Sequence, residues 1–354
     1  MPSSTSTSRP SRARLAAAIL AGMLGMALAL EGLMRLLPVT SVTDSGYYLD
    51  PRVATYQPHR RLWTSTGWAF RNARRHRTNN LGFIAARDFV PRPEAVGLIG
   101  DSYVESSMLA ASARPAAQLE RMMPGRLVYA LGSPGTSLLD YAERIRFARR
   151  QLGIRDFVVF VEKRDVPHSL CGSGNIAASC LDRRTLRPRV ELRKPPRRLK
   201  RLALHSALLR YLSAQLQFDV VDEWSEWSRT GSLLRRGEGR GASSVSMSPS
   251  TAARVIRVFF ERASSQVDGR LLLILGPNWD PTTLVQMRVL AARYGVPLVE
   301  VDPALAALTR RTGLSPYVAP KDHHLNAAAW AAVAAASGPT LEAAGYPRQY
   351  PGKY

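Results

Sequence analysis

The stretch Ala95–Met108, AVGLIGDSYVESSM, reads as a buried strand running directly into a turn and a helix. Ala95–Ile99 is short and apolar, with no polar residue on either alternation, the pattern of a strand covered on both faces. Gly100-Asp101-Ser102 closes it with turn-forming residues and leaves a serine hydroxyl at the strand's carboxyl end. Doubly wound sheets place their ligands at that end. The amides opening the next helix lie close by and can stabilise a developing oxyanion. Alone, Gly-Asp-Ser is an ordinary turn, so its meaning depends on the rest of the chain.

Four further runs have the same character: Leu127–Leu131 (LVYAL), Phe157–Val161 (FVVFV), Leu271–Leu275 (LLLIL) and Leu298–Val301 (LVEV). Helical periodicity falls between and after them, over 112–123, 138–152, 250–265, 281–294 and an Ala-rich segment from Asn326 to Ala344, with Ser250 as an N-cap for the third. Strands alternating with helices predict an α/β fold: a parallel five-stranded sheet between two helical layers, α/β/α, over residues 95–345. Residues 182–249 break this rhythm. They hold the Pro/Arg-rich run RPRVELRKPPRRLKR, an amphipathic pattern over Leu199–Phe218 and a Gly/Ser/Arg-rich end, and read as an insertion without strands. Trp224 and Trp227 in DEWSEW suit either stacking on sugar rings or packing of the insertion.

Residues 1–40 stand apart. A tail over 1–14 carries Arg9, Arg12 and Arg14, and an uncharged run, Leu15–Leu30, comes next. Basic residues before an apolar segment retain the N-terminus in the cytoplasm and send the remainder across. The apolar character continues past Glu31 and Arg35 to residue 38, which favours a transmembrane anchor over 15–38, although Ala27-Leu28-Ala29 would also serve signal peptidase. Residues 39–94 read as an irregular juxtamembrane segment. The two cysteines, Cys171 and Cys180, lie nine positions apart, and an exported location favours a local disulfide over a metal site, for which His168 is the one further ligand nearby.

The charge is +22, from 49 basic and 27 acidic residues, with only five lysines among the cations. Such a surface attracts anionic lipid, acidic polysaccharide or nucleic acid. No zinc-finger spacing, RNP motif or basic zipper accompanies it, so no nucleic-acid partner is expected. No Gly-x-Ser-x-Gly elbow, Walker loop or His-Glu-x-x-His is present, and no cofactor or metal is expected.

The complement to Ser102 lies 220 residues on, in KDHHLNAAAW. A hydroxyl nucleophile needs a base within hydrogen-bond reach, and the base needs an orienting acid. His324 and Asp322 supply both from one loop before the last helix, with Asn326 as its cap and His323 facing elsewhere.

This layout resembles the SGNH/GDSL hydrolases, whose nucleophile lies in Gly-Asp-Ser after the first strand and whose Asp and His share one late motif. It is most similar to bacterial membrane-anchored members resembling enzymes that add or remove acetyl groups on exopolysaccharides; Asn79-Asn80-Leu81-Gly82-Phe83 also resembles their approach segment. The resemblance covers residues 95–344 and implies a flavodoxin-like sheet. It implies Ser102 as nucleophile, His324 as base and Asp322 as its partner. The oxyanion hole it implies takes N–H groups from Ser102 and, in LGSPGTSLLDY, from Gly135 in preference to Gly132. Where the family carries Asn after the third strand, FVVFVEKRDVPHS places Arg164, able either to donate to an oxyanion or to pair with Asp165. Gly276-Pro277-Asn278 comes after the wrong strand for that role and reads as a turn. The Asp-x-His spacing is one residue shorter than in many members.

The resemblance implies an ester hydrolase or acyl transferase working through an acyl-Ser102 intermediate in the periplasm, anchored in the inner membrane. Its expected substrate is an acylated small molecule or polysaccharide, with O-acylated envelope glycan foremost. The alternative is a degenerate member that binds a glycan or assembly partner without turnover; a lipid-binding scaffold ranks behind both.

Overall fold

The computed structural model describes residues 11–41, 45–173, 178–192, 205–216, 247–320 and 322–346. In chain order the elements are α1 (Arg12–Leu36), β1 (Gly46–Asp50), β2 (Val53–Thr55), β3 (Arg61–Thr66), β4 (Arg71–Arg77), β5 (Val96–Gly100), α2 (Ser102–Glu105), α3 (Pro115–Met122), β6 (Val128–Gly132), α4 (Leu138–Leu152), β7 (Asp156–Val161), α5 (Asp165–His168), β8 (Ser179–Leu181) and β9 (Pro188–Val190). Next come α6 (Ala207–Arg210), α7 (Pro249–Ser264), β10 (Leu271–Leu275), α8 (Pro281–Arg293), β11 (Leu298–Glu300), α9 (Asp302–Thr312), β12 (Tyr317–Ala319), β13 (Asp322–Leu325) and α10 (Ala327–Ala343).

The five apolar runs form one sheet, in the order β11-β10-β7-β5-β6, and every pairing in it is parallel. Alternation along the strands sorts their side chains between two cores. Phe157, Val159, Val161, Leu271, Leu273 and Leu275 face α4, α7 and α8. Val158, Phe160, Leu272 and Ile274 face α3, α9 and α10. This is the expected three-layer architecture. Both faces being covered explains why the strands carry no polar alternation. At the sheet's amino end, fully buried Asp156 pairs with Arg126 at 2.7 Å and Arg270 at 3.0 Å, so the opening polar residue of β7 is neutralised in place.

The chain runs from β5 to β6 on one side, then crosses back to place β7 on the other side of β5. The carboxyl ends of β5 and β7 therefore flank the switch point of the sheet, where a crevice opens in folds of this kind.

Several local expectations are corrected. Residues 39–94 are not irregular throughout: over 46–77, β1 pairs with β2 and β3 with β4, while 78–94 carry no helix or strand. These are short, and β4 (RNARRHR) is mostly exposed, so no apolar alternation marks it. The helix α9 leaves little trace in the sequence, because DPALAALTRRT has only Leu305 and Leu308 buried and so carries a narrow apolar stripe. The cap of α7 is Ser248, whose hydroxyl accepts from the Thr251 amide, rather than Ser250; Pro249 occupies the first helical position. A strand, β9, does occur within 182–249, pairing antiparallel with β8. The amphipathic pattern over 199–218 yields, among the described residues, the short helix α6 continued by a wider turn over Tyr211–Gln215. Trp224 and Trp227 lie outside the described residues.

Two compact units are distinguished. One comprises, among the described residues, 11–41, 63–73 and 205–216; the other comprises the sheet with its helices, and includes 45–62 and 74–77. In the first unit, α1 is 25 residues long with no buried side chain, and is long and apolar enough to cross a membrane. In the second, Cys171 and Cys180 are joined by a disulfide. It ties the segment after α5 to β8, while the cysteines' only metal-ligating neighbour among the described residues is Glu191, not His168.

Candidate active site

β5 ends at Gly100, and Asp101 turns the chain into the four-residue α2. The Asp101 carboxylate accepts from the Tyr103 amide at 2.8 Å, which holds Ser102 in the first position of that turn. β6 fits tightly against the same turn: a Cβ at Gly132 would lie 2.5 Å from the Glu105 nitrogen, so only glycine permits the approach. α2 is shorter than the helix expected there and ends at Ser106 in a left-handed conformation, φ 42°.

β13 brings the second half of the site. Asp322 and His324 lie on this short strand, paired with β12, rather than on an open loop. Alternation along a strand sends Asp322 and His324 to one side and His323 to the other, and His323 instead meets the Tyr317 ring at 5.4 Å. His324 Nε2 lies 2.8 Å from Ser102 Oγ, and His324 Nδ1 lies 2.5 Å from Asp322 Oδ1. The same Asp322 oxygen accepts from the His324 amide at 3.1 Å, so the one-residue spacing closes on itself. Tyr103 fixes this arrangement from the side: its ring lies 4.8 Å from the imidazole, and its hydroxyl donates to the His323 carbonyl at 3.0 Å. Asn326 caps α10 through the Ala329 amide, as expected.

The electrostatics favour a protonatable imidazole. Burial alone would lower the His324 pKa, but the hydrogen bond and charge of Asp322, assisted by Asp101 and Glu105, raise it above the ordinary histidine value. Asp322 shifts oppositely: its burial is outweighed by the bond from His324, so its carboxyl stays below the usual range.

The amides of Ser102 and Gly135 have no hydrogen-bond partner among the described residues. Gly135 has φ 69°, a conformation glycine adopts freely. Arg164 does not form the foreseen pair with Asp165. Its Nε pairs with Glu162 Oε2 at 3.2 Å and not with Asp165, and the Glu162 carboxylate also accepts from the Arg164 amide at 2.7 Å. Asp165 instead accepts from the Glu162 amide at 2.7 Å, being fully inside the protein. Gly276-Pro277-Asn278 joins β10 to α8 through a bend, with Asn278 donating to the Tyr317 hydroxyl.

Sequence reading missed the charged groups beneath the site. Arg144 on α4 is wholly buried; its Nη1 donates to the carbonyls of Gly100 (2.5 Å) and Leu131 (3.1 Å), at the ends of β5 and β6. Burial lowers its pKa, and the charges of Asp140, Tyr141 and Asp101 oppose that shift. Glu105, three residues after Ser102, is equally enclosed; burial raises its pKa to about 7 despite hydrogen bonds from Tyr56 and Ser107. A detectable signal existed for Arg144: in LLDYAERIRFARR it lies three residues before Phe147 and three after Tyr141, on the buried face.

No protein-family model and no curated protein matches the chain. Among solved structures it is similar to a lipolytic protein of the G-D-S-L family from Veillonella parvula, at 10% identity and a TM-score of 0.39, over 70% of this chain and 98% of that one. It is similar to a lipase/acylhydrolase from Enterococcus faecalis at 11% identity and a TM-score of 0.37, over 72% and 100% of the two chains. A variant acetyl-xylooligosaccharide esterase from Geobacillus gives 14% identity and a TM-score of 0.36, over 74% and 99%. The chemistry of the site is read from its own hydrogen bonds.

Proposed function

We propose that this chain is a membrane-anchored serine ester hydrolase or acyl transferase of the SGNH/GDSL type, acting through an acyl-Ser102 intermediate. The observation that carries the reading is the continuous chain of hydrogen bonds from Ser102 Oγ through His324 to Asp322. At 2.8 Å, His324 Nε2 is within reach of the serine proton, and a carboxylate on Nδ1 fixes the tautomer that leaves Nε2 free to accept it.

In the first half-reaction Ser102 Oγ attacks the ester carbonyl while its proton passes to His324 Nε2. Asp322 stabilises the imidazolium so formed. The tetrahedral oxyanion takes hydrogen bonds from the amides of Ser102 and Gly135, each without another partner among the described residues. Arg164 supplies positive charge where the family has a neutral amide, moderated by Glu162. Collapse expels the alkoxide, which recovers the proton from His324. In the second half-reaction water, or an acceptor hydroxyl for transfer, gives its proton to His324 and attacks the acyl carbonyl, and the imidazolium returns that proton to Ser102 Oγ as it departs.

The substrate class we favour is an O-acylated glycan of the cell envelope, on the periplasmic side of the inner membrane. Support comes from the basic tail ahead of α1, which orients the remaining chain outward, and from the net charge of +22, which suits an acidic polysaccharide. The test is hydrolysis of a p-nitrophenyl acyl ester by the full chain and by Ser102→Ala. Loss of activity in the variant supports the reading. Full activity in Ser102→Ala removes it, and inactivity of both proteins together with salt-sensitive binding of an acidic polysaccharide favours a non-catalytic glycan binder, for which the Arg164–Glu162 pairing is the supporting feature.

A further inference from the structure

The uncharged part of α1, Leu15–Leu30, is 16 residues long. At about 1.5 Å per residue it spans about 24 Å, short of the roughly 30 Å hydrocarbon layer. The shortfall of about 6 Å is about four residues, so a bilayer around α1 reaches past Leu30 and Glu31 lies just inside its boundary. A carboxylate there needs partners, and it has them: Glu31 accepts from Ser206 Oγ (2.7 Å), the Ala207 amide (3.0 Å), the Leu208 amide (2.9 Å) and Arg35 Nε (2.7 Å). The first three belong to α6 and its cap, so the insertion helix is clipped to the anchor at the level where the membrane ends.

The β3–β4 hairpin is held to the segment that follows α1. Ser65 Oγ donates to the Pro38 carbonyl, and Ser41 exchanges hydrogen bonds with Trp63, both just beyond α1. Gln215 links Thr40, Ser65 and Gly67, and the Tyr211 hydroxyl donates to the Trp68 carbonyl. What this assembly presents outward is amphipathic. Trp68 is 73% exposed, Leu209 is exposed, and Arg71 is exposed beside Phe70, whose ring lies 5.3 Å from Tyr211. Exposed tryptophan with arginine at a helix exit is the composition that favours the headgroup region.

We propose that α6 and the hairpin tip form a lipid-facing collar around the exit of α1, seated on an anionic phospholipid surface with Trp68 at the headgroup–acyl boundary. The described residues 205–216 of the insertion thus serve the bilayer. The inference rests on α1 crossing the membrane.

The test uses the full chain, disulfide intact, in vesicles of phosphatidylcholine and phosphatidylglycerol. An environment-sensitive dye is placed at Trp68→Cys or at Leu24→Cys, which is exposed midway along α1. Spin-labelled lipids then quench from shallow or deep positions. The expected result is at least twofold stronger shallow than deep quenching at position 68, the reverse at position 24, and a fall at position 68 when phosphatidylglycerol is omitted. A label at 68 that is unquenched and water-like, with position 24 still deeply quenched, overturns the collar and leaves the anchor standing. No quenching at position 24 overturns both.

Discussion

Replacing Glu105 by glutamine should stabilise the protein at alkaline pH and leave it nearly unchanged in acid. Glu105 is 3% exposed, and its pKa is raised from 4.5 to about 7, chiefly by burial. Between those two values the folded chain holds a proton that the unfolded chain has released. Its contribution to stability is therefore full below about pH 4.5 and is lost as pH rises through 7. The difference of about 2.5 pH units at about 1.4 kcal/mol each amounts to about 3 kcal/mol. Glutamine keeps an oxygen to accept from Tyr56 and Ser107 yet has nothing to ionise. Thermal melts of both proteins in detergent, from pH 4.5 to 8.5, read the effect. The variant should gain roughly 6–12 °C on the wild type between the two ends, at about 2–4 °C per kcal/mol for a domain of this size. Parallel profiles would refute the reasoning, since they would mean that the wild-type carboxyl ionises inside the protein at no cost.

Other consequences can be checked separately. Asp322→Asn removes the group that raises the His324 pKa, so the acid limb of the ester hydrolysis profile should move to lower pH while the plateau falls by about 10²-fold or more, read from pH–rate curves. Arg144→Met should destabilise by about 3–5 kcal/mol in denaturant titrations, because the Gly100 and Leu131 carbonyls lose their donor and Asp140 loses its counter-charge. The double variant Cys171→Ser/Cys180→Ser should lose about 2–3 kcal/mol, from the entropy of the short loop the bond closes, with the same melts as the measure.

The sheet was legible because its strands are buried on both faces: LLLIL and FVVFV can hardly be anything else between helical stretches. The hydrogen-bond chain of Ser102, His324 and Asp322 was legible for a chemical reason, since a serine at a strand end needs a base to act as nucleophile, and DHHLN offers histidine beside an acid at the start of a helix. What stayed hidden depended on tertiary context. The strands over 46–77 are short, and β4 is mostly exposed, so they leave little periodic trace. The Glu162–Arg164 pair joins residues two apart, a contact made by the turn after β7 and not by any regular spacing. Arg144 and Glu105 look like surface charges until the ends of β5 and β6 close over them.

The central claim is that the Ser102 hydroxyl is a nucleophile activated by His324. Its most direct measurement is intact-mass and peptide mass spectrometry after treatment with a fluorophosphonate. The account predicts a single covalent adduct on Ser102, absent in Ser102→Ala and formed at least about 10²-fold more slowly in His324→Ala. An unmodified Ser102, or one that reacts equally fast without His324, would contradict it.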